Sequence, residues 1–296
     1  MYSQKRTNDR PFRKERDNYS NRGNSRPRDG KKCRLKLYIE YEGTRYSGWQ
    51  VQQNAKTVQG KIFEAAEKVF EQAITEFKGS GRTDSGVHAL CQVAHLEVKT
   101  MLAPEIIRMK LNDELPADIN ILEVEKTDLK FHARHDAVSR SYIYQISRRR
   151  SAFAKPFVWW NKDKLDAAKM KSALTLFIGM NDFVSFSDKD DLEKSTRVLI
   201  QDIQLKEEGD LIIFRIEGSH FLWKMVRRIV GVLAEVGRGN LTDKDIERFL
   251  KTETNEPAKY TAPPSGLFLE NVNYTKGKKE EPVKSFITVA SFKAKK

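Results

Sequence analysis

The order of strand and helix patterns constrains the fold of this chain more than any other feature, because that order occurs twice. Residues 36–42 (KLYIEYE) alternate apolar and polar side chains, as a strand with one buried face does. Residues 57–70 (TVQGKIFEAAEKVF) carry apolar side chains at helical spacing. A strand pattern begins the series again at residues 140–148 (RSYIYQISR). We therefore expect an α+β protein of two similar halves, each an antiparallel sheet with helices on one face.

The same two periodicities predict the remaining elements. In chain order they are a strand at 92–98, a helix at 103–115, a strand at 119–126, a helix at 165–179, strands at 198–205 and 211–218, a helix at 224–237 and a strand at 266–274. The halves meet near residues 128–138, and the cleft between such halves is a common place for a ligand site.

Charge distinguishes the ends of the chain from its centre. Residues 1–32 contain eleven Lys or Arg and four acidic residues with almost no apolar periodicity, so we expect a disordered basic tail. The two halves then span 33–135 and 136–276, and 277–296 form a basic C-terminal extension. The whole chain has a formal net charge of +13, of which +6 lies outside the tail. A basic surface on a folded protein favours a polyanionic partner, above all nucleic acid.

Several classes of protein are disfavoured by the composition. No apolar run approaches the roughly 20 residues of a membrane span, and the N-terminus lacks the apolar core of a signal peptide, so we expect a cytoplasmic protein without a membrane partner. The two cysteines, Cys33 and Cys91, lie far apart and are expected to be free thiols. Because the histidines are scattered and have no cysteine partners nearby, we expect no structural zinc site.

Residues 79–96 (GSGRTDSGVHALCQVAHL) concentrate glycines, an Arg-Thr-Asp triplet and two histidines. An aspartate in such a stretch, here Asp84, is usually a turn residue that binds nearby backbone amides. The alternative is a catalytic carboxylate on a loop above a rigid sheet, which needs a counter-charge in order to stay ionised. Arg227 and Arg228 on the helix at 224–237 are candidates for that counter-charge, although a solvated arginine is the ordinary alternative for each.

Tyr142 and Tyr144 lie two residues apart on the strand at 140–148 and therefore share one face. Core packing is the ordinary role of such a tyrosine. Beside basic residues, an exposed aromatic ring can instead stack on a nucleobase, which contributes roughly 1–3 kcal/mol. The strand pattern alone leaves both roles open.

Seven segments, taken together and in this order, closely resemble the TruA family of tRNA pseudouridine synthases. They are 41–52 (YEGTRYSGWQVQ), 57–62 (TVQGKI), 79–95 (GSGRTDSGVHALCQVAH), 111–119 (LNDELPADI), 131–144 (FHARHDAVSRSYIY), 221–231 (FLWKMVRRIVG) and 261–274 (TAPPSGLFLENVNY). Ser80 and Ser85 replace the small residues usual in the family, and Cys91 stands where glycine is common. The resemblance covers residues 35–274 and excludes the basic tail.

The resemblance implies both a fold and an activity. The two halves would join into one extended antiparallel sheet with helices packed on it and a basic cleft between them. The chain would be an isomerase that converts uridine to pseudouridine in the anticodon stem-loop of tRNA, at positions 38, 39 and 40. Because that reaction neither gains nor loses atoms, no cofactor or metal is expected. Members of the bacterial type are homodimers that bind tRNA across both subunits.

The resemblance also assigns roles to five residues. Asp84 is the catalytic carboxylate, which attacks C6 of the base, attacks C1′, or removes a sugar proton; the sequence leaves these three open. Arg227 pairs with it and keeps it ionised. Arg82 holds or replaces the flipped nucleotide, Tyr142 stacks on the uracil, and Leu267 belongs to an apolar wall that excludes water.

Other residues of the same segments are expected to be structural. Tyr144 belongs in the core, and His88 and Thr83 make hydrogen bonds that stabilise the loop. One rival interpretation is a non-catalytic RNA-binding or tRNA-folding protein on the same scaffold. A second rival, a metal-dependent nuclease, is disfavoured because the seven segments hold no second carboxylate near Asp84 in the sequence.

Overall fold

A sheet of ten strands forms the centre of the protein in the computed structural model, which describes residues 30–188, 195–275, 282–287 and 289. The strands are β1 (Lys32–Tyr41), β2 (Glu76–Gly79), β3 (His88–Lys99), β4 (Ile119–Thr127), β5 (Ser139–Ser147), β6 (Trp159–Trp160), β7 (Gly179–Asp182), β8 (Arg197–Glu208), β9 (Leu211–Gly218) and β10 (Leu267–Asn273). The main path runs β4-β1-β3-β10-β5-β9-β8-β7, with β2 beside β3 and β6 beside β5.

Five α-helices accompany the sheet in the described part of the chain. They are α1 (Val58–Phe70), α2 (Pro104–Glu114), α3 (Ala167–Ala173), α4 (Met225–Arg238) and α5 (Asp243–Lys251). Each helix contributes buried apolar residues to the same large core cluster as Leu35, Leu37 and Ile39 of β1. The helices therefore cover one face of the sheet, which confirms the predicted α+β class.

The last strand of the chain joins the two halves. β10 pairs with β3 in parallel, where Phe268 lies opposite His88, and with β5 in antiparallel, where Leu269 lies opposite Tyr142. The β3–β10 pairing is a parallel contact in an otherwise largely antiparallel sheet. As a result, the strand that follows the Arg-Thr-Asp segment and the strand that carries Tyr142 are separated only by β10.

The opposite face of the sheet has a second, smaller core. It consists of Ile143, Leu211 and Ile213 from β5 and β9, covered by residues 154–158 and by the C-terminal residues Val283 and Val289. Part of the predicted C-terminal extension is thus packed against the sheet. The predicted tail lies outside the described residues except for 30–32, and Lys32 already begins β1.

One predicted element was wrong in its extent, and four observed elements were not predicted. The helix predicted at 165–179 ends at Ala173, because residues 174–177 tighten into a 3₁₀ turn and Gly179 turns the chain at φ +95° into β7. The strands β2, β6 and β7 and the helix α5 were not predicted. The strands have two to four residues, too few for a periodicity to show. No described helix combines the length and the apolar character that crossing a membrane requires.

Candidate functional site

Asp84 lies in the loop between β2 and β3. Both of its carboxylate oxygens accept hydrogen bonds from residues of the C-terminal half. Arg227 Nη1 donates to Oδ2 at 2.8 Å, and Trp223 Nε1 donates to Oδ1 at 2.9 Å. The side chain is 20% exposed. Since these partners come from the start of α4 and not from its own turn, the carboxylate connects the two halves of the molecule.

The loop that carries Asp84 is held against residues 41–49. The Thr83 and Tyr41 hydroxyls are hydrogen-bonded at 2.8 Å, and the Ser85 hydroxyl donates to the Tyr46 carbonyl at 3.0 Å. The backbone N–H of Trp49 donates to the Thr83 carbonyl at 3.1 Å. These contacts fix the backbone on both sides of Asp84, which preorganises its carboxylate.

His88 supports the same loop from behind. Its Nδ1 accepts the backbone N–H of Gly43 at 3.0 Å, and its Nε2 donates to the Pro156 carbonyl at 2.9 Å. Burial lowers the pKa of His88. The ring is therefore neutral at pH 7, as its acceptor role at Nδ1 requires. The loop-stabilising hydrogen bonds expected of His88 and Thr83 are both present.

Arg227 is oriented by a second contact. Its Nε donates to the Ala262 carbonyl at 2.7 Å, and its own carbonyl accepts the N–H of Ala262 at 3.1 Å. The segment can lie this close to α4 because Gly231 has no side chain; a Cβ there would be 1.6 Å from the Tyr260 carbonyl oxygen. Arg228 points elsewhere, to Asp188, and is buried. The two adjacent arginines thus serve different contacts, and neither is a solvated side chain.

Trp223 is a site residue that sequence reasoning did not assign. It is 41% exposed, and its indole covers one edge of the Asp84 carboxylate. Lys224, which follows it, adopts φ +61° at the start of α4. This left-handed conformation turns the chain sharply, so that Trp223 and Arg227 reach the same carboxylate. The aromatic run before the helix (FLWK) was the available signal in the sequence.

Tyr142 lies close to Asp84. Burial raises the pKa of Tyr142 to about 12, opposed by the charge of Arg140 and increased by that of Asp84. Its hydroxyl is therefore protonated at neutral pH. The ring packs edge to face against Phe221 at 4.9 Å and is 9% exposed. Within the described residues the hydroxyl has no hydrogen-bond partner.

The other predicted site residues divide between core and surface. Leu267 begins β10 opposite Tyr144, is 6% exposed and belongs to the large core cluster. Tyr144 is fully buried and donates to the Pro263 carbonyl at 2.8 Å, as a core tyrosine should. Arg82 is exposed and makes no ion pair with any described residue. Asp84, Arg227 and Tyr142 are therefore brought together, whereas Arg82 faces outward beside them.

Across the described ranges, no group of three or more His, Cys, Asp or Glu side chains is arranged to hold a metal ion. The chemistry available at the site is that of one paired carboxylate, two cationic arginines, a protonated tyrosine and an indole N–H. Such a set can stabilise an anion, act as a nucleophile or base, and contact an aromatic base.

Comparison with known proteins gives a consistent result. The profile of a family described as tRNA pseudouridine synthase matches residues 37–136 and 173–275. The chain is 37% identical over 254 residues to tRNA pseudouridine synthase A of Thermodesulfovibrio yellowstonii, with 81% of this chain and 99% of that protein covered. It is 40% identical over 243 residues to the protein of the same name from Geobacter sp. strain M21, with 81% and 98% covered.

Similarity to solved structures is weaker. A chain of a crystal structure described as a Cbf5-Nop10-Gar1 complex aligns with 11% identity and a TM-score of 0.31, covering 68% of this chain and 54% of that one. A likeness of this size supports no argument about the site.

Proposed function

The chain belongs to the tRNA pseudouridine synthase family and is an isomerase that acts on tRNA, and on that premise we propose that Asp84 carries the reaction. The proposed substrate is the anticodon stem-loop, with uridines at positions 38, 39 and 40 converted to pseudouridine. The observation that supports the assignment is the carboxylate itself, which Arg227 and Trp223 bind from the other half of the molecule.

The reaction is balanced within the substrate and water. The C1′–N1 glycosidic bond breaks, the uracil turns, and a C1′–C5 bond forms. The proton on C5 leaves to solvent, and N1 gains a proton. There is no change of oxidation state, so no cofactor, metal or co-reactant enters the balance.

Asp84 is suited to act as the nucleophile. Each of its oxygens accepts one described hydrogen bond, from Arg227 or from Trp223, and a carboxylate oxygen has two lone pairs. One lone pair on each oxygen therefore remains for the substrate. The charged hydrogen bond from the Arg227 guanidinium fixes the direction of the carboxylate.

The neighbouring residues supply the other requirements of the reaction. A uridine in a stem-loop must leave its stack, which costs a few kcal/mol. In this proposal Arg82, which is exposed and two residues from Asp84, holds or replaces the extruded nucleotide. In this proposal Tyr142 stacks on the uracil, and Leu267, which is buried, belongs to the apolar wall that excludes water while the base is detached.

The resemblance to the bacterial type extends this proposal to the assembly. The protein would act in the cytoplasm as a homodimer that binds one tRNA across both subunits. Light scattering of the full chain with and without tRNA measures this: a dimeric mass is expected, and a monomeric mass at working concentrations would contradict it.

Tritium release from C5-labelled uridine in a tRNA transcript tests the proposed chemistry, because formation of the C1′–C5 bond displaces the hydrogen on C5. Without added metal, the wild type should release tritium and Asp84→Asn should release none above background. Asp163→Asn is a matched control, since Asp163 forms a surface ion pair with Arg238 at the end of α4, the helix that also carries Arg227. It should retain activity.

The same assay separates the rival interpretation. If the wild type binds tRNA tightly but releases no tritium from any of the three positions, the chain is an RNA-binding protein on this scaffold and the proposed reaction is wrong. If Asp84→Asn releases tritium at the rate of wild type, Asp84 is not the nucleophile.

A further inference from the structure

The start of α4 carries three cations and has no acidic residue in its first turn. Lys224 is the N-cap residue, and Arg227 and Arg228 are among the first four residues of the helix, where the positive end of the helix dipole disfavours cations. The N-cap side chain makes no capping hydrogen bond. Carboxylates from other segments compensate this charge. Asp84 binds Arg227, whereas Asp188 binds the other two cations.

Asp188 divides its two oxygens between Lys224 and Arg228. Lys224 Nζ donates to Oδ2 at 2.5 Å, and Arg228 Nη2 donates to Oδ1. Partial burial raises the pKa of the Asp188 carboxyl, but the Lys224 hydrogen bond and the charges of both cations lower it by more, so that it lies below the ordinary 3.8. The carboxylate is therefore ionised at neutral pH and holds both side chains.

The position of Asp188 is fixed by the core beneath it. The residue follows the 3₁₀ turn Val184–Phe186, in which Phe186 is fully buried and packs against three other phenylalanine rings. Arg228 Nη1 also donates to the carbonyl of Ser187, so the backbone next to Asp188 is bound to α4 as well. The carboxylate therefore has a defined place that does not depend on the loop of Asp84.

Lys224 connects this carboxylate to the site. Its backbone is left-handed, with φ +61°, at a helix start where extended backbone is usual and where a residue with a side chain rarely adopts positive φ. Its Nζ lies 4.5 Å from the centroid of the Trp223 ring. The same indole donates to Asp84 Oδ1. A continuous series of contacts thus runs from Asp188 through Lys224 and Trp223 to Asp84.

We propose that Asp188 is a positioning residue for the isomerisation: by holding Lys224 against the ring of Trp223, it fixes the indole N–H on Asp84. A donor that is free to turn meets the carboxylate only part of the time, and orientation of a reacting group contributes to kcat. The inference rests on the proposed function for the reaction and deepens it by naming the side chain that orients Trp223.

Steady-state tritium release, measured as kcat and KM for tRNA, tests this role. Asp188→Asn should lower kcat about tenfold, the factor expected for loss of the Trp223 hydrogen bond itself, and leave KM within about twofold of wild type. Lys224→Met should lower kcat by the same factor. Because the Lys224 side chain is 30% exposed, this second variant tests the same contact even if Asp188→Asn does not fold. A raised KM with unchanged kcat would make Asp188 an RNA-binding residue and overturn the inference.

Glu256→Gln is the matched control for Asp188→Asn. Glu256 pairs with Arg248, whose guanidinium lies over the Phe249 ring, so the control also removes a carboxylate that holds a cation over an aromatic ring. The two carboxylate side chains are similarly exposed, 27% for Glu256 and 29% for Asp188. The control should change neither kcat nor KM.

A double-mutant cycle with Trp223→Phe tests the route of the effect. Both substitutions remove the oriented indole N–H, so Asp188→Asn should slow the Trp223→Phe protein less than about twofold. A further tenfold loss would show that Asp188 acts independently of Trp223, and the inference would be wrong. An undiminished kcat in both Asp188→Asn and Lys224→Met would overturn it as well.

Acrylamide quenching of tryptophan fluorescence gives a readout that needs no substrate. All four tryptophans lie in the described ranges, and in a Trp160→Phe background Trp223 is the one exposed indole, since Trp49 is buried and Trp159 is half-buried. Asp188→Asn in that background should raise the quenching constant about twofold, because the ammonium is no longer held over the ring. Glu256→Gln should leave it unchanged. A quenching constant that Asp188→Asn does not alter would refute the positioning of Trp223.

These outcomes are distinguishable from those of the proposed function. Tritium release by wild type together with unchanged kcat in both variants would refute the role of Asp188 and leave the isomerase. A raised quenching constant without tritium release from wild type would retain the positioning of Trp223 by Asp188 and refute the proposed reaction.

Discussion

At the scale of single residues, the Asp84 carboxylate depends on two donors that lie within one turn of each other. Trp223 and Arg227 approach different oxygens, and the left-handed Lys224 between them sets the angle of approach. Each donor therefore orients the Asp84 carboxylate in addition to supplying a hydrogen bond, and Arg227 also supplies a positive charge. Substituting the two donors one at a time separates the effect of orientation from that of charge.

Arg227→Lys should lower the rate of tritium release about 100-fold while the protein stays folded. A lysine keeps the positive charge, but its single ammonium cannot reach both the Ala262 carbonyl and Asp84, as the arginine does through Nε and Nη1. Loss of an oriented charged hydrogen bond costs roughly 1.5–3 kcal/mol, which is about a 10- to 150-fold change in rate.

Arg238→Lys is the control for that substitution, because Arg238 lies at the other end of the same helix and pairs with Asp163 and Glu235. It should leave the rate unchanged, and circular dichroism should report the same melting temperature for both variants within a few degrees. A fully active Arg227→Lys would show that charge alone is sufficient at this position.

Trp223→Phe should slow the reaction roughly 10-fold or more, because it removes the indole N–H that Asp84 Oδ1 accepts while keeping an aromatic ring of similar position. The reduction should appear in kcat under saturating tRNA. Trp160→Phe is matched in exposure, 44% against 41%, and has no described hydrogen bond from its indole. Equal rates for the two variants would show that the Trp223 indole N–H does not contribute to the reaction.

At the scale of elements, the loop between β2 and β3 derives its rigidity from its packing on residues 43–49. Gly48 adopts φ +89°, and a Cβ there would lie 2.5 Å from the Thr83 carbonyl oxygen. That carbonyl also accepts the Trp49 N–H. A change at Gly48 therefore moves the residue directly before Asp84.

Gly48→Ala should reduce the free energy of unfolding by more than Gly239→Ala does, and it alone should reduce tritium release. Gly239 has φ +82° but open space around its Cβ, so its substitution costs only the left-handed conformation, roughly 1–2 kcal/mol. Gly48→Ala adds the clash with backbone. Urea denaturation of both variants measures the two losses of stability. Equal losses would show that the backbone at Thr83 can move away from the new Cβ without lowering the free energy of unfolding.

At the scale of the whole molecule, the site exists because the chain returns to the middle of the sheet. β10 is inserted between β3 and β5, and α4 packs with the residues that precede β10. The carboxylate from one half and the arginine from the other, 143 residues apart, meet at this junction. Folding of the complete sheet is therefore a condition for an assembled site.

Stability of the whole molecule should fall as the pH decreases from 7.5 to 5.5. Burial lowers the pKa of four histidines, His88, His95, His132 and His220, below the ordinary 6.5. As the pH falls below 6.5, the unfolded chain therefore binds more protons at these histidines than the folded chain does. The free energy of unfolding is unaffected by them above pH 6.5 and decreases progressively below it. Urea denaturation at both pH values measures the difference.

Between pH 5.5 and 6.5 the change in stability comes from the histidines. Hydrogen bonds lower the pKa values of the Glu97 and Asp245 carboxyl groups from 4.5 and 3.8, so these carboxylates affect stability only at lower pH. His88→Gln should be less stable at pH 7.5 and should lose less stability on acidification than wild type. An unchanged free energy of unfolding between pH 7.5 and 5.5 in the wild type would contradict the prediction.

The sequence alone determined the class of fold and most of its elements, because burial of one face leaves a local period of two in strands and about 3.6 in helices. The strand containing Tyr142 and the helix containing Arg227 were predictable for this reason. Short strands such as β7 were not, since their burial depends on the edge they join. The importance of Asp84 came from the resemblance of seven ordered segments to one family, not from periodicity.

Only the tertiary structure decided which distant residues meet. Nothing local in the sequence indicates that Trp223 donates to Asp84, that Arg140 donates to the carbonyls of both Ser80 and Arg134, or that the final strand lies between the halves. The physical reason is that such contacts depend on sheet register and helix packing, which are set by the burial of many side chains together. A local pattern records that a residue is buried or exposed, whereas the fold decides what lies beside it.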